Sequence, residues 1–265
     1  MKKRKLSEPL GVLLLLPLAF FVTLLFDGCG NKKADESAAP NPNAPLVDLS
    51  TAGTITGTVM LDSPPPAPKR IDMSAEPHCM AANSGPVYYP MVSVGEKGAL
   101  ANVVIYVKSG LAAYRYDTPK DPVALDQKGC MYEPHVLALM VNQPLDVKND
   151  DPTVHNVHAA PQVNSEWNKS EDIGAAPIEE KFSRPEMAIP VMCNVHPWMR
   201  ALAFVFDNPY FAVTSASGAF GLKNLPPGTY TIEAWQEKFG TLDQTVTIAP
   251  KQSQAISFTF KSTAP

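Results

Sequence analysis

The chain has 265 residues, with 22 Lys and Arg against 26 Asp and Glu and a formal net charge of −4 at pH 7. No basic stripe stands out against that balance, which argues against a nucleic-acid partner. After a leader and a linker, about 215 residues remain from Thr51, enough for one or two compact domains.

The first segment is an address. Lys2, Lys3, Arg4 and Lys5 precede an almost wholly apolar run from Leu10 to Phe26, the layout of a secretory signal. Its end, Asp27-Gly28-Cys29-Gly30, is similar to a bacterial lipoprotein cleavage site, in which a small residue precedes the Cys that receives the lipid. The alternative is an uncleaved anchor, since about 17 apolar residues lie at the lower limit for spanning a bilayer. Either reading exports the rest of the chain and holds it at a membrane. Loss of residues 1–28 removes four cationic and two anionic side chains and leaves the remainder more acidic. Residues 29–50, rich in Ala, Pro, Asn and Ser without apolar periodicity, read as a tether.

From there strand signals dominate. Thr54–Met60, Ala101–Lys108, Val136–Met140, Leu145–Lys148, Ala201–Phe206, Tyr230–Trp235, Gln244–Ile248 and Ala255–Phe260 are short and rich in β-branched or apolar residues. Turns of Pro, Gly and Asn-Asp separate them, so the expected class is all-β with sandwiches or barrels. Beyond the leader no segment sustains a capped 3.6-residue apolar period.

Three cysteines follow Cys29 in what should be an oxidising compartment, which predicts one bridge and one thiol left over. Cys193 is the residue left over, because metal-ligand types surround it, and Cys79 and Cys130 are the expected pair. Closing their loop would contribute roughly 4 kcal/mol in the chain-entropy model. The alternative for Cys79 is a soft metal cluster, His78-Cys79-Met80.

The strongest motif is Cys193-Asn194-Val195-His196-Pro197-Trp198-Met199, with a thiolate, an imidazole and a thioether inside seven residues. With one more His, these donors make a blue-copper ligand set. Zinc also takes Cys and two His, but Met is a poor zinc ligand. Upstream, the polar turn Asn149–Thr153 leads into Val154-His155-Asn156-Val157-His158. In a strand, positions three apart face opposite sides, so only one of His155 and His158 suits a site at the barrel end, and the position after the turn selects His155. His158 then stands as a second-site ligand or an exposed polar residue. His135 receives no role, and Trp167 and Glu179-Glu180-Lys181 are read as surface features.

On these residues, from about 125 to 208, the chain resembles a cupredoxin of the plastocyanin and amicyanin type. The C-x-x-H-x-x-M spacing, the upstream HNV, and Tyr132 and Pro134 before the strand Val136–Met140 carry the likeness. It implies a Greek-key β-sandwich holding one type 1 copper ion through His155, Cys193, His196 and Met199. It further implies a hydrogen bond from the Asn156 backbone N–H to the Cys193 sulfur. His196 should then be exposed at one end, with Pro197 and Trp198 as an apolar docking patch for redox partner proteins. The tail, with Gly218-Ala219-Phe220-Gly221-Leu222 and Leu225-Pro226-Pro227-Gly228-Thr229-Tyr230, resembles the carboxypeptidase regulatory-like domain, a small transthyretin-like β-sandwich. The expected division is 51–118 as an N-terminal β segment that can belong to the C-terminal sandwich, 119–208 as the copper domain and 209–265 as the regulatory-like sandwich.

The function expected is single-electron transfer by an exported, membrane-tethered copper protein in the periplasm or at the cell surface. The alternative is copper capture or delivery without redox turnover. The chain lacks the His-Cys-His run and paired H-x-H motifs of multicopper enzymes, a C-x-x-x-C loop and an H-x-x-E zinc motif, so it reads as a non-enzyme.

Overall fold

A computed structural model describes residues 43–262, so the leader, Cys29 and the start of the tether lie outside the described residues. No helix among the described residues is long and apolar enough to cross a membrane. Strands dominate, and the one α-helix among the described residues spans five, Pro77–Ala81 (α1). In chain order the strands are β1 (Gly53–Leu61), β2 (Val104–Ser109), β3 (Val123–Lys128), β4 (Met131–Glu133), β5 (Val136–Met140) and β6 (Leu145–Asn149). Next come β7 (His155–Ala159), β8 (Trp167–Glu171), β9 (Ile178–Glu180), β10 (Glu186–Met192) and β11 (Arg200–Phe206). The tail adds β12 (Phe211–Val213), β13 (Ala219–Leu225), β14 (Gly228–Gln236), β15 (Gly240–Ile248) and β16 (Ser253–Phe260).

These strands make two sandwiches, as expected for the all-β class. In the first, the sheet β4-β3-β6-β9 faces the sheet β5-β11-β10-β7-β8. In the second, β13-β1-β16 faces β12-β2-β14-β15. Strands β1 and β2 therefore pair with the tail, and β3 to β11 lie between β2 and β12 in the chain. The pairing β1–β16 is parallel over eight residues, from Thr54 opposite Ser253 to Leu61 opposite Phe260, so the first and last described strands are neighbours in one sheet. Gly57 is needed there, because a Cβ would fall 2.2 Å from the Ile256 carbonyl oxygen and 2.5 Å from the Phe220 ring.

Alternation produces the cores. Along β6, Leu145, Val147 and Asn149 are buried while Asp146 and Lys148 are only partly covered. Leu125, Leu139, Leu145, Val147, Val157, Ile189 and Val191 fill the first core. Ile55, Val59, Ile105, Leu222, Tyr230, Ile232 and Phe258 fill the second. A third apolar cluster joins them: Val104 and Trp235 of the second sandwich meet Val136, Phe204 and Phe206 of the first. Trp235 stands edge-on to Phe204 with ring centroids 4.9 Å apart, a favourable aromatic geometry. Trp167 corrects the surface reading: it is half-buried in β8 and packs against the first core, because β8 pairs along its length with β7.

A flap from the stretch between β1 and β2 crosses onto the first sandwich. Its two ends are tied together by Tyr89 N–H to the Lys69 carbonyl (3.0 Å) and Ile71 N–H to the Val87 carbonyl (2.9 Å). Ile71, Met73 and Cys79 then sink into the first core. Cys79 is bonded to Cys130, at the turn between β3 and β4.

Candidate metal centre

The centre sits at one end of the first sandwich, where three connections meet. Residues 193–199 join β10 to β11, whose last ladder pair is Met192 and Arg200. The loop is closed internally by Cys193 N–H to the Met199 carbonyl (3.2 Å) and Met199 N–H to the His196 carbonyl (2.9 Å). Strand β7 runs antiparallel beside β10, with His158 opposite Met192, so the start of β7 comes alongside the loop. The Asn156 side chain stitches the two together by accepting the Asn194 N–H at 3.1 Å.

His155, Cys193 and His196 converge there, with one donor atom from each lying within 4.8 Å of the others. His155 Nδ1 stands 2.9 Å from His196 Nδ1, and Cys193 Sγ lies 3.9 Å from His196 Nδ1. His155 is completely buried, His196 is 1% exposed and Cys193 is 3% exposed. Nitrogen and sulfur ligands sit about 2.0 and 2.3 Å from a transition metal, so adjacent ligands are separated by about 3–4 Å. The separations of His196 Nδ1 from His155 Nδ1 and from Cys193 Sγ fit that requirement, and the softness of the set fits copper. Met199 is fully buried in the surrounding core.

The electrostatics prepare the donors. Burial pushes the Cys193 thiol up, but a hydrogen bond to His155 and backbone N–H groups of His196, Asn156 and Val195 outweigh it and favour the thiolate. The Asn156 N–H implied by the resemblance is among them. Burial also opposes charge on His155, yet hydrogen bonds to Asp151 and Cys193, with their negative charge, raise it to about 9. Burial and the neighbouring His155 charge both hold His196 below the usual imidazole range. His155 Nε2 donates to Asp151 Oδ2 at 2.8 Å. Asp151 also accepts the N–H groups of Gly129 (2.6 Å) and Cys130 (2.7 Å), which fix it as the outer anchor of the His155 ring. Burial raises Asp151, but these bonds and His155 keep it below the carboxylate range.

Other residues fall differently. His158 lies outside the cluster, with Nε2 2.6 Å from Glu166 Oε1 and Nδ1 3.4 Å from Asn194 Oδ1. His135, to which the sequence assigned nothing, joins the sandwiches: Nδ1 lies 3.0 Å from the Arg200 carbonyl and Nε2 2.8 Å from Glu237 Oε2. His78 and Met80 are exposed on α1 while Cys79 between them is buried in its bridge, so the three do not act as one cluster. The expectation of an exposed His196 is corrected. The flap and its disulfide cover the ring, and sulfur atoms of Cys79 and Cys130 lie within 4.8 Å of a His196 nitrogen. Pro197 is exposed, but Trp198 is half-buried and donates Nε1–H to the Cys130 carbonyl at 3.0 Å.

Asp151 and Glu76 are not among the residues that stood out in the sequence. Asp151 had a local signal, four residues before His155 in a turn where Asn149 Oδ1 accepts its N–H at 3.0 Å. Glu76, whose Oε2 is 3.8 Å from His196 Nε2, had none, because 120 residues of chain separate it from its partner.

No family model and no curated protein matches the chain. Solved structures similar to it include a copper-containing nitrite reductase from Thermus scotoductus SA-01, at 18% identity and a TM-score of 0.31 over 38% of this chain and 26% of that one. The purple cupredoxin of Nitrosopumilus maritimus is 20% identical with a TM-score of 0.27, over 31% of this chain and 98% of that one. The Cu(I) form of an amicyanin mutant is 23% identical with a TM-score of 0.29, over 40% of this chain and 99% of that one. The non-enzyme reading is corrected at this point: a copper enzyme stands among the similar structures, so the exclusion of catalysis does not hold.

Proposed function

We propose that the chain is an exported, membrane-tethered protein holding one type 1 copper ion through His155, Cys193, His196 and Met199 and passing single electrons between redox partner proteins. The observation that carries this reading is the buried convergence of two Nδ1 atoms 2.9 Å apart with a thiol held toward its anion. Bound there, copper would supply a Cu(II)/Cu(I) couple. The protein's contribution is rigidity: three of the four residues lie in one loop closed by its own hydrogen bonds, and Asp151 fixes the fourth. Ligands that do not move between oxidation states keep electron transfer fast.

The test is the visible and EPR spectrum of the copper-loaded soluble fragment from Thr51, together with voltammetry. An intense thiolate-to-copper band with narrow copper hyperfine splitting and a reversible couple is the expected result; absence of the band refutes the ligand set. The cover over His196 favours a second reading, copper capture or delivery. Tight Cu(I) binding without a reversible couple would decide for it.

A further inference from the structure

His196 turns Nδ1 toward His155 and Cys193, which leaves Nε2 facing outward. In a loop whose neighbours Val195 and Pro197 are exposed, that edge would ordinarily meet water. Here the ring is 1% exposed, and Nε2 faces the Glu76 carboxylate at 3.8 Å, a separation longer than a hydrogen bond. The backbone that carries Glu76 is held in place from several directions. Its N–H donates to the Met73 carbonyl (2.9 Å), and its carbonyl accepts the Met80 N–H at the start of α1 (3.0 Å). The Asn83 amide donates to the carbonyls of Cys79 (2.8 Å) and Gly129 (2.9 Å), alongside the Cys79–Cys130 bond itself. The same Cys130 donates its N–H to Asp151 and accepts from Trp198, so one disulfide anchors the surroundings of both imidazoles.

We propose that Glu76 is a positioning residue of the metal site. Delivered by the disulfide-tied flap, it sets a negative charge against the outer nitrogen of His196, orients that ring and biases the metal toward its more positive oxidation state. This rests on the copper reading above. Carboxylates outside a metal-bound imidazole fix its orientation and raise its donor strength. Glu76 is a partly exposed carboxylate, so solvent screens its effect, and about a tenfold change in the Cu(II)/Cu(I) affinity ratio is expected.

The experiment compares the unaltered chain with Glu76→Gln, Glu76→Asp and Cys79→Ser/Cys130→Ser, each loaded with copper. Visible and EPR spectra, midpoint potential and melting temperature are recorded. Glu76→Gln should keep the thiolate band and raise the midpoint by about 59 mV, the equivalent of tenfold for one electron. Glu76→Asp should recover part of that shift, and the double serine variant should shift in the same direction, because its flap no longer holds the charge in place. A residue of purely structural importance would lower the melting temperature and leave the potential where it was. If the unaltered chain lacks the thiolate band, the copper reading itself fails and takes this proposal with it. If the band is present and Glu76→Gln leaves the potential unchanged, the role of Glu76 falls while the copper reading stands.

Discussion

The two sandwiches share a fold class and use burial in opposite ways. The second is filled almost entirely with apolar side chains, and its buried Glu233 is answered directly by the Tyr106 hydroxyl (2.5 Å) and Lys108 (2.6 Å). The first concentrates buried polar groups at and behind one end: Gln127, Asn149, Asp151, His155, Asn156, Glu171 and His196. Two of these, Gln127 and Glu171, keep one oxygen each without a partner. Unpartnered buried polar atoms cost stability, so the first sandwich gives up more of it than the second, against whose core the Tyr116 hydroxyl alone, among the described residues, is left in that state. Fold class thus says where side chains go and leaves open what burial is for.

The thiol should matter most. Cys193→Ser should abolish the intense visible band of the copper-loaded protein while circular dichroism shows the strands retained; a variant that stays coloured would remove Cys193 from the site. The next is a contrast inside one strand. His155→Ala should lose the type 1 spectrum, and His158→Ala, whose ring bonds Glu166 outside the cluster, should keep it with unchanged copper stoichiometry. The reverse pattern would shift the ligand by three residues.

A core truncation tests the other side of the comparison. Ile232, fully buried in the second sandwich, should cost about 2–5 kcal/mol on substitution by Ala in denaturant unfolding, without altering the copper spectrum. A changed spectrum would mean that the second sandwich shapes the site through the Trp235–Phe204 seam. The smaller effect is one of pH. In the metal-free protein His155 is raised from 6.5 to about 9, so the folded state binds its proton more tightly than the unfolded state does. That stabilisation is complete below about pH 6.5 and is lost as pH rises through about 9. The melting temperature of the metal-free protein should therefore fall across that window, and that of the copper-loaded protein, in which metal replaces the proton on His155, should fall less. Equal slopes would remove His155 from the metal site, and a metal-free melting temperature that stays flat across the window would contradict its pairing with Asp151. The smallest structural change is Met199→Leu, which conserves volume and should cost under about 1.5 kcal/mol. It should keep the colour and raise the reduction potential; an unchanged potential would place Met199 outside the coordination sphere.

Legibility followed sequence distance. The spacing of Cys193, His196 and Met199 is a local fact, and a loop bounded by two paired strands has few ways to arrange seven residues. His155 was readable because a turn places it at a strand mouth. Strands such as Val136–Met140 announced themselves by their apolar runs, whereas β8 and β9, at sheet edges and mostly polar, did not. His135 gave no signal, since its partners are a carbonyl 65 residues away and a carboxylate 102 residues away.

An all-β chain, the apolar faces of its longer strands and a set of soft donors at copper-type spacing were legible before any folding, because these depend on periods of two and on a single loop. It took the folded chain to lay the flap over His196, to set Glu76 before its outer nitrogen and Asp151 against His155, and to lean Val104 and Trp235 on Phe204. Alternation tells which face is buried but not against what, and a carboxylate carries no mark of the imidazole it will meet until the chain between them has folded.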